Sequence, residues 1–136
     1  MKQGKRIKPA FPAEYRLLIQ QRRKEREGAT VTRVALRTVN EFTNFRYEIV
    51  VEPLVEGKTI RLSIRGLRAP QVTIPGTGPA VFETELEGLR GTYSVVASKL
   101  DREENNFTIQ ISADSVTLKS PAEGGFVELV TNEQEW

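Results

Sequence analysis

After residue 30 the chain alternates apolar and polar residues with a period of two, and each such run predicts a half-buried strand. The clearest pair lies in 82–99: Phe82, Thr84 and Leu86 alternate with Glu83, Glu85 and Glu87, and Tyr93, Val95 and Ala97 alternate with Ser94, Val96 and Ser98 beyond Gly88 and Gly91. The run 31–39 sets Val34 and Leu36 against Arg33, Ala35 and Arg37. In 46–52, Tyr47, Ile49 and Val51 face inward and Pro53 marks an end. The run 58–65 puts Ile60, Leu62 and Ile64 inward and Arg61 and Arg65 outward, so its arginines face the glutamates of the preceding run in an antiparallel pair. Short strands are expected around 71–74, 106–112, 115–119 and 126–130, with a turn at 75–79 and a charged loop at 100–105.

The first 28 residues read differently. Pro9 and Pro12 oppose helix before residue 12, and Pro12 suits a first helical position. Tyr15, Leu18, Ile19 and the stem of Arg22 share a face at spacings of three and four, which predicts a short helix over 12–27 stopped by Gly28. The expected organisation is a basic arm with this helix (1–28), dispensable for folding, and a body of eight or nine short strands (29–136). Without helices between strands to make a parallel sheet, the fold class is all-β, an antiparallel β-sandwich. Its predicted core is Val34, Tyr47, Ile49, Val51, Ile60, Leu62, Ile64, Phe82, Leu86, Tyr93, Val95, Phe107, Ile109 and Ile111.

The stretch Leu89-Arg90-Gly91-Thr92-Tyr93-Ser94-Val95-Val96-Ala97 resembles the corner and following strand of immunoglobulin-like and fibronectin type III-like domains. That resemblance implies an immunoglobulin-like sandwich in which the Tyr93 hydroxyl bonds back to the Leu86–Gly91 corner. The paired cysteines of antibody domains and a tryptophan in an early strand are absent, and an architecture of this kind does not name a function.

Charge adds more than length does. The 136 residues carry a net charge of +2, split as +6 over 1–28 and −4 over the remainder. There is no cysteine and no histidine, which excludes Cys/His zinc sites, a histidine base and a cysteine nucleophile. No secretory signal or transmembrane run is visible, so the expected location is cytoplasmic or within a virion.

The candidate motifs are weak. Glu83, Glu85 and Glu87 share a strand face able to hold Ca²⁺ or Mg²⁺, but no carboxylate-rich loop accompanies them and a solvated face is the simpler reading. Gly76-Thr77-Gly78 lacks the Lys-Ser/Thr of a phosphate loop and reads as a turn. Asn106-Phe107-Thr108 matches a glycosylation acceptor, but Phe107 falls in the core phase. No metal, cofactor or small-molecule substrate is therefore expected, and no enzyme.

What remains is the arm. Lys5, Arg6, Lys8, Arg22, Arg23 and Arg26 supply charge, and Phe11, Tyr15, Leu18 and Ile19 supply apolar anchors. The expectation is a non-catalytic structural or adaptor subunit of a larger assembly, of the kind a virion decoration or accessory protein represents. It would touch a protein partner or a second copy through the arm. The alternative is a nucleic-acid-associated accessory protein that uses the same cations on phosphates. A membrane partner is disfavoured by the small apolar face.

Overall fold

Among the described residues nine stretches take up extended backbone, because their alternating side chains bury one face and wet the other. The computed structural model describes residues 13–24, 28–43, 46–69, 75–99, 103–120 and 125–136. The strands are β1 (Tyr15–Arg23), β2 (Thr30–Thr38), β3 (Glu48–Glu56), β4 (Thr59–Arg68), β5 (Val81–Glu87), β6 (Gly91–Lys99), β7 (Glu103–Ile111), β8 (Val116–Ser120) and β9 (Val127–Val130), followed by a 3-10 turn over Glu133–Glu135.

They form a single sheet in the order β8-β7-β6-β4-β3-β5-β2-β1-β9, rolled into a nearly closed barrel. The sheet is mixed: β1–β2, β2–β5, β3–β4, β6–β7 and β7–β8 are antiparallel, whereas β1–β9, β4–β6 and β3–β5 are parallel. The all-β class is as the alternation predicts. The arrangement is one curled mixed sheet, and nothing in its topology names an immunoglobulin fold.

One apolar cluster fills the interior. All fourteen predicted core residues belong to it, but Tyr47, Val51, Phe82 and Leu86 are only partly buried. The β3–β4 hairpin pairs glutamate with arginine across the strands as expected: the Arg65 Nε donates to Glu52 at 2.8 Å, and Arg68 Nη2 to Glu48 at 3.0 Å.

Where a helix is expected over 12–27, Tyr15–Arg23 is a strand. β1 pairs with β2 along its whole length and with β9 over Tyr15–Leu18. The run Leu17-Leu18-Ile19 suits a strand buried on both faces, a pattern that a short helix stripe also matches. Tyr15, Leu17 and Ile19 enter the main core, and Leu18 points the other way against Ala35, Val130 and Trp136. Pairing and double-sided burial outweigh a stripe too short to hold a helix alone. Gly28, at φ 65°, serves the β1–β2 connection instead of a helix end, and its N–H donates to the Lys24 carbonyl at 2.9 Å. A boundary at residue 28 would therefore cut between two paired strands.

Two smaller expectations also change. Pro53 does not end β3, which runs on to Glu56, and β7 begins at Glu103 within the expected loop. The strand expected at 71–74 lies outside the described residues.

Candidate functional site

The sheet is joined at every neighbour by a ladder except between β3 and β5. There the two strands run parallel and meet at one register pair, Glu48↔Val81. β5 is otherwise laddered only to β2, and β3 only to β4, among the described residues. From that apex the facing edges of 51–56 and 82–87 pair with nothing among the described residues.

The register shows which side chains line this seam. Val51, Pro53 and Val55 sit opposite Ile64, Leu62 and Ile60, which are core residues. Directly opposite residues share a face, so all three point inward. Phe82 sits opposite Leu36 and Thr84 opposite Val34 in the same way. Yet Pro53 is exposed, Val55 is 36% exposed, and Val51, Phe82, Thr84 and Leu86 are half-buried. Inward-facing apolar side chains thus meet solvent along one gap. The four predicted core residues with incomplete burial, Tyr47, Val51, Phe82 and Leu86, lie on β3, on β5 or at the apex.

Pro53 is tolerable because this part of β3 is an edge, where a missing N–H costs no ladder bond. Leu54, on the opposite face of β3, is 51% exposed. At the apex an open cleft is bordered by Glu41, Arg46, Tyr47, Thr77, Gly78 and Pro79, and the Phe42–Tyr47 ring pair packs beside it at 5.1 Å.

Charge on the two bordering strands has one sign. β3 carries Glu48, Glu52 and Glu56, β5 carries Glu83, Glu85 and Glu87, and neither has a lysine or arginine. Cations approach from the next strands out: Arg33 Nε donates to Glu83 at 2.7 Å, and Lys24 Nζ lies 3.2 Å from Glu85. The hydrogen bond from Arg33 holds the Glu83 carboxyl below the usual carboxylate range, and the same bond raises Arg33. Glu83 and Glu85 are therefore ion-paired, and all three β5 glutamates are solvent-exposed. Among the described residues no three or more acidic groups cluster as a metal site would require.

The arm residues divide. Lys5, Arg6, Lys8, Phe11 and Arg26 lie outside the described residues. Tyr15, Leu18 and Ile19, expected as partner anchors, are buried in the protein's own sheet and present no free surface. Arg22 is exposed with Nη1 4.0 Å from Glu83, and Arg23 is exposed beside it. Val55, Pro53 and Leu54 were missed as site residues. The one sequence signal for them was a proline inside an apolar run, read as a strand end.

No protein-family model, no curated protein and no solved structure matches this chain. Among the described residues no helix is long and apolar enough to cross a membrane.

Proposed function

We propose that this protein is a non-catalytic structural or adaptor subunit of a larger protein assembly, and that it holds its partner by strand addition at the β3/β5 seam. The observation that carries this reading is the seam itself: two strand edges with no ladder partner among the described residues, and inward-facing Val51, Val55, Phe82 and Leu86 left partly wet between them. Unpaired edges attract an extra strand, and most proteins cover or blunt them. An inserted strand would gain main-chain hydrogen bonds from both edges and bury its alternate side chains in the gap, as in strand-addition recognition generally. Among the described cations, Arg16, Arg33, Arg65, Arg68 and Lys99 are each ion-paired with a glutamate, which leaves these five less to offer a phosphate.

Hydrogen exchange tests it. In the assembled state the amides of 51–56 and 82–87 should slow by at least tenfold, and Val55→Lys should abolish both the protection and the assembly while leaving a folded protein. Assembly with both edges still exchanging freely would refute strand addition.

A further inference from the structure

The seam sets three conditions on the strand that fills it. Every second side chain must be apolar to meet Val51, Val55, Phe82 and Leu86. The alternate side chains can be polar or cationic but not acidic, because β3 and β5 themselves carry glutamates and no lysine or arginine, although Arg68, Arg65, Arg61, Arg33 and Lys24 already pair with five of the six. The segment must also span the six residues of each open edge. Residues 6–11 of this chain, Arg-Ile-Lys-Pro-Ala-Phe, have this length and this alternation, with Ala10 alone departing from it. Ile7, Pro9 and Phe11 fall on one side of an extended strand, and Arg6 and Lys8 on the other. The first twelve residues contain four cations and no carboxylate.

Resting on the strand-addition reading above, we infer that residues 6–11 of one copy fill the β3/β5 seam of a second copy. Ile7, Pro9 and Phe11 point into the barrel, and Arg6 and Lys8 point out toward the glutamates of β3 and β5. Pro9 is accommodated because β3 and β5 part from a single register pair, so a strand between them does not ladder to both at every residue.

The geometry selects a second copy over the same chain. Glu14 is held in place: its N–H donates to the Phe126 carbonyl at 2.8 Å, and its carbonyl accepts from Val39 at 2.9 Å. The seam lies beyond β2 and β5, three strand spacings from β1 or about 14 Å. The three steps from Glu14 back to Phe11 span at most about 11 Å. Phe11 therefore falls short of its own seam, whereas a neighbour's arm has no such limit. Arm and seam are different surfaces, so the contact is heterologous and propagates into a ring or an open chain of copies.

Sedimentation of the full chain over a range of concentrations reads this directly. Self-association is expected, and it should weaken at least tenfold both in the Ile7→Asp/Phe11→Asp double variant and in Val55→Lys. The first variant keeps its seam and the second keeps its arm, so mixing them should restore a one-to-one complex. Unchanged dichroism and an unchanged unfolding midpoint of each variant separate a lost contact from a folding defect. As a second measurement, a labelled peptide of residues 2–13 should bind the double variant saturably and not bind Val55→Lys. A full chain that stays monomeric, or a mixture that fails to pair, overturns the exchange. If unrelated peptides alternating basic and apolar residues protect the seam amides while the 2–13 peptide does not, self-exchange is wrong and strand addition stands. If no peptide of either kind binds, both fall.

Discussion

The side-chain oxygen of Asn105 accepts the backbone N–H of Val127 at 2.9 Å, fastening β7 to β9 where the two ends of the sheet approach each other. The rest of the Asn105 amide donates to the Glu104 carbonyl at 3.1 Å, and the residue is only 8% exposed. Gln21 makes a second tie, donating to the Ser112 carbonyl at 2.8 Å while accepting from buried Thr32 at 2.6 Å. Side chains thus close the gap that backbone ladders leave. Replacing Asn105 by leucine strands the Val127 N–H in an apolar setting, which should cost about 1–3 kcal/mol. Thermal or urea unfolding measures this, and an unchanged midpoint would show that the tie carries nothing.

Gly125 is required by the same amide. It sits at φ 122°, and a Cβ there would lie 2.4 Å from the Asn105 side-chain nitrogen. Gly28, at φ 65°, has nothing within 4 Å of the equivalent position. Gly28→Ala should therefore cost about 1 kcal/mol of backbone strain alone, and Gly125→Ala clearly more. Asn105→Ala should relieve part of the Gly125→Ala loss, so a double-mutant cycle should show coupling of about 0.5 kcal/mol or more. Strict additivity would contradict the contact.

Trp136 covers the outer face of β1 and β2. Its indole N–H donates to the Arg16 carbonyl at 3.0 Å, its ring lies 5.6 Å and 5.8 Å from the guanidinium carbons of Arg33 and Arg37, and it packs on the Leu18, Ala35 and Val130 cluster. Trp136→Ala should lower stability by about 2–3 kcal/mol, less than for a fully buried tryptophan. As the sole tryptophan, it should report the same transition by fluorescence that backbone dichroism reports. Non-coincident curves would mean that the cover opens separately from the sheet.

Protonating Glu83 breaks its bond to Arg33. Its carboxyl is held below the ordinary carboxylate range, chiefly by that hydrogen bond, so the stability it contributes is present above that range and is lost as pH falls through the folded value. Wild-type stability should therefore drop more steeply below pH 4.5 than that of Glu83→Gln. With the carboxylate partly exposed, the difference should shrink in salt. Parallel acid profiles would contradict the assignment.

Tyr93 is buried, and its ring receives the Lys58 ammonium at 4.6 Å. Among the described residues no hydrogen bond joins its hydroxyl to the Leu86–Gly91 corner that the resemblance implied. Lys58 instead donates to the Arg90 carbonyl at 2.6 Å. Tyr93→Phe should accordingly leave stability within about 0.5 kcal/mol, and Tyr93→Ala should cost several times more. A loss of 1 kcal/mol or more for the phenylalanine variant would restore the corner bond.

The alternation of apolar residues determined, by itself, the all-β class and which side chains enter the core. A period of two assigns each residue to a face before any strand has found its neighbour, so Ile60, Leu62, Ile64, Phe107, Ile109 and Ile111 were legible at once. The β3–β4 pairing was legible too, since the Glu56-Gly57 turn and complementary glutamates and arginines specify a local antiparallel hairpin. Pairing across long sequence separations was not. Leu17-Leu18-Ile19 suits a helix stripe or a doubly buried strand equally well, and only Val130 and Trp136 packing on Leu18 decide for the strand. The parallel pairs β1–β9 and β4–β6 bring together segments with no local signature of each other. The seam is the extreme case. Val55 carries the same apolar signal as Ile60 opposite it, and it is wet only because the tertiary arrangement places β5 alongside β3 at a single residue pair and nowhere else.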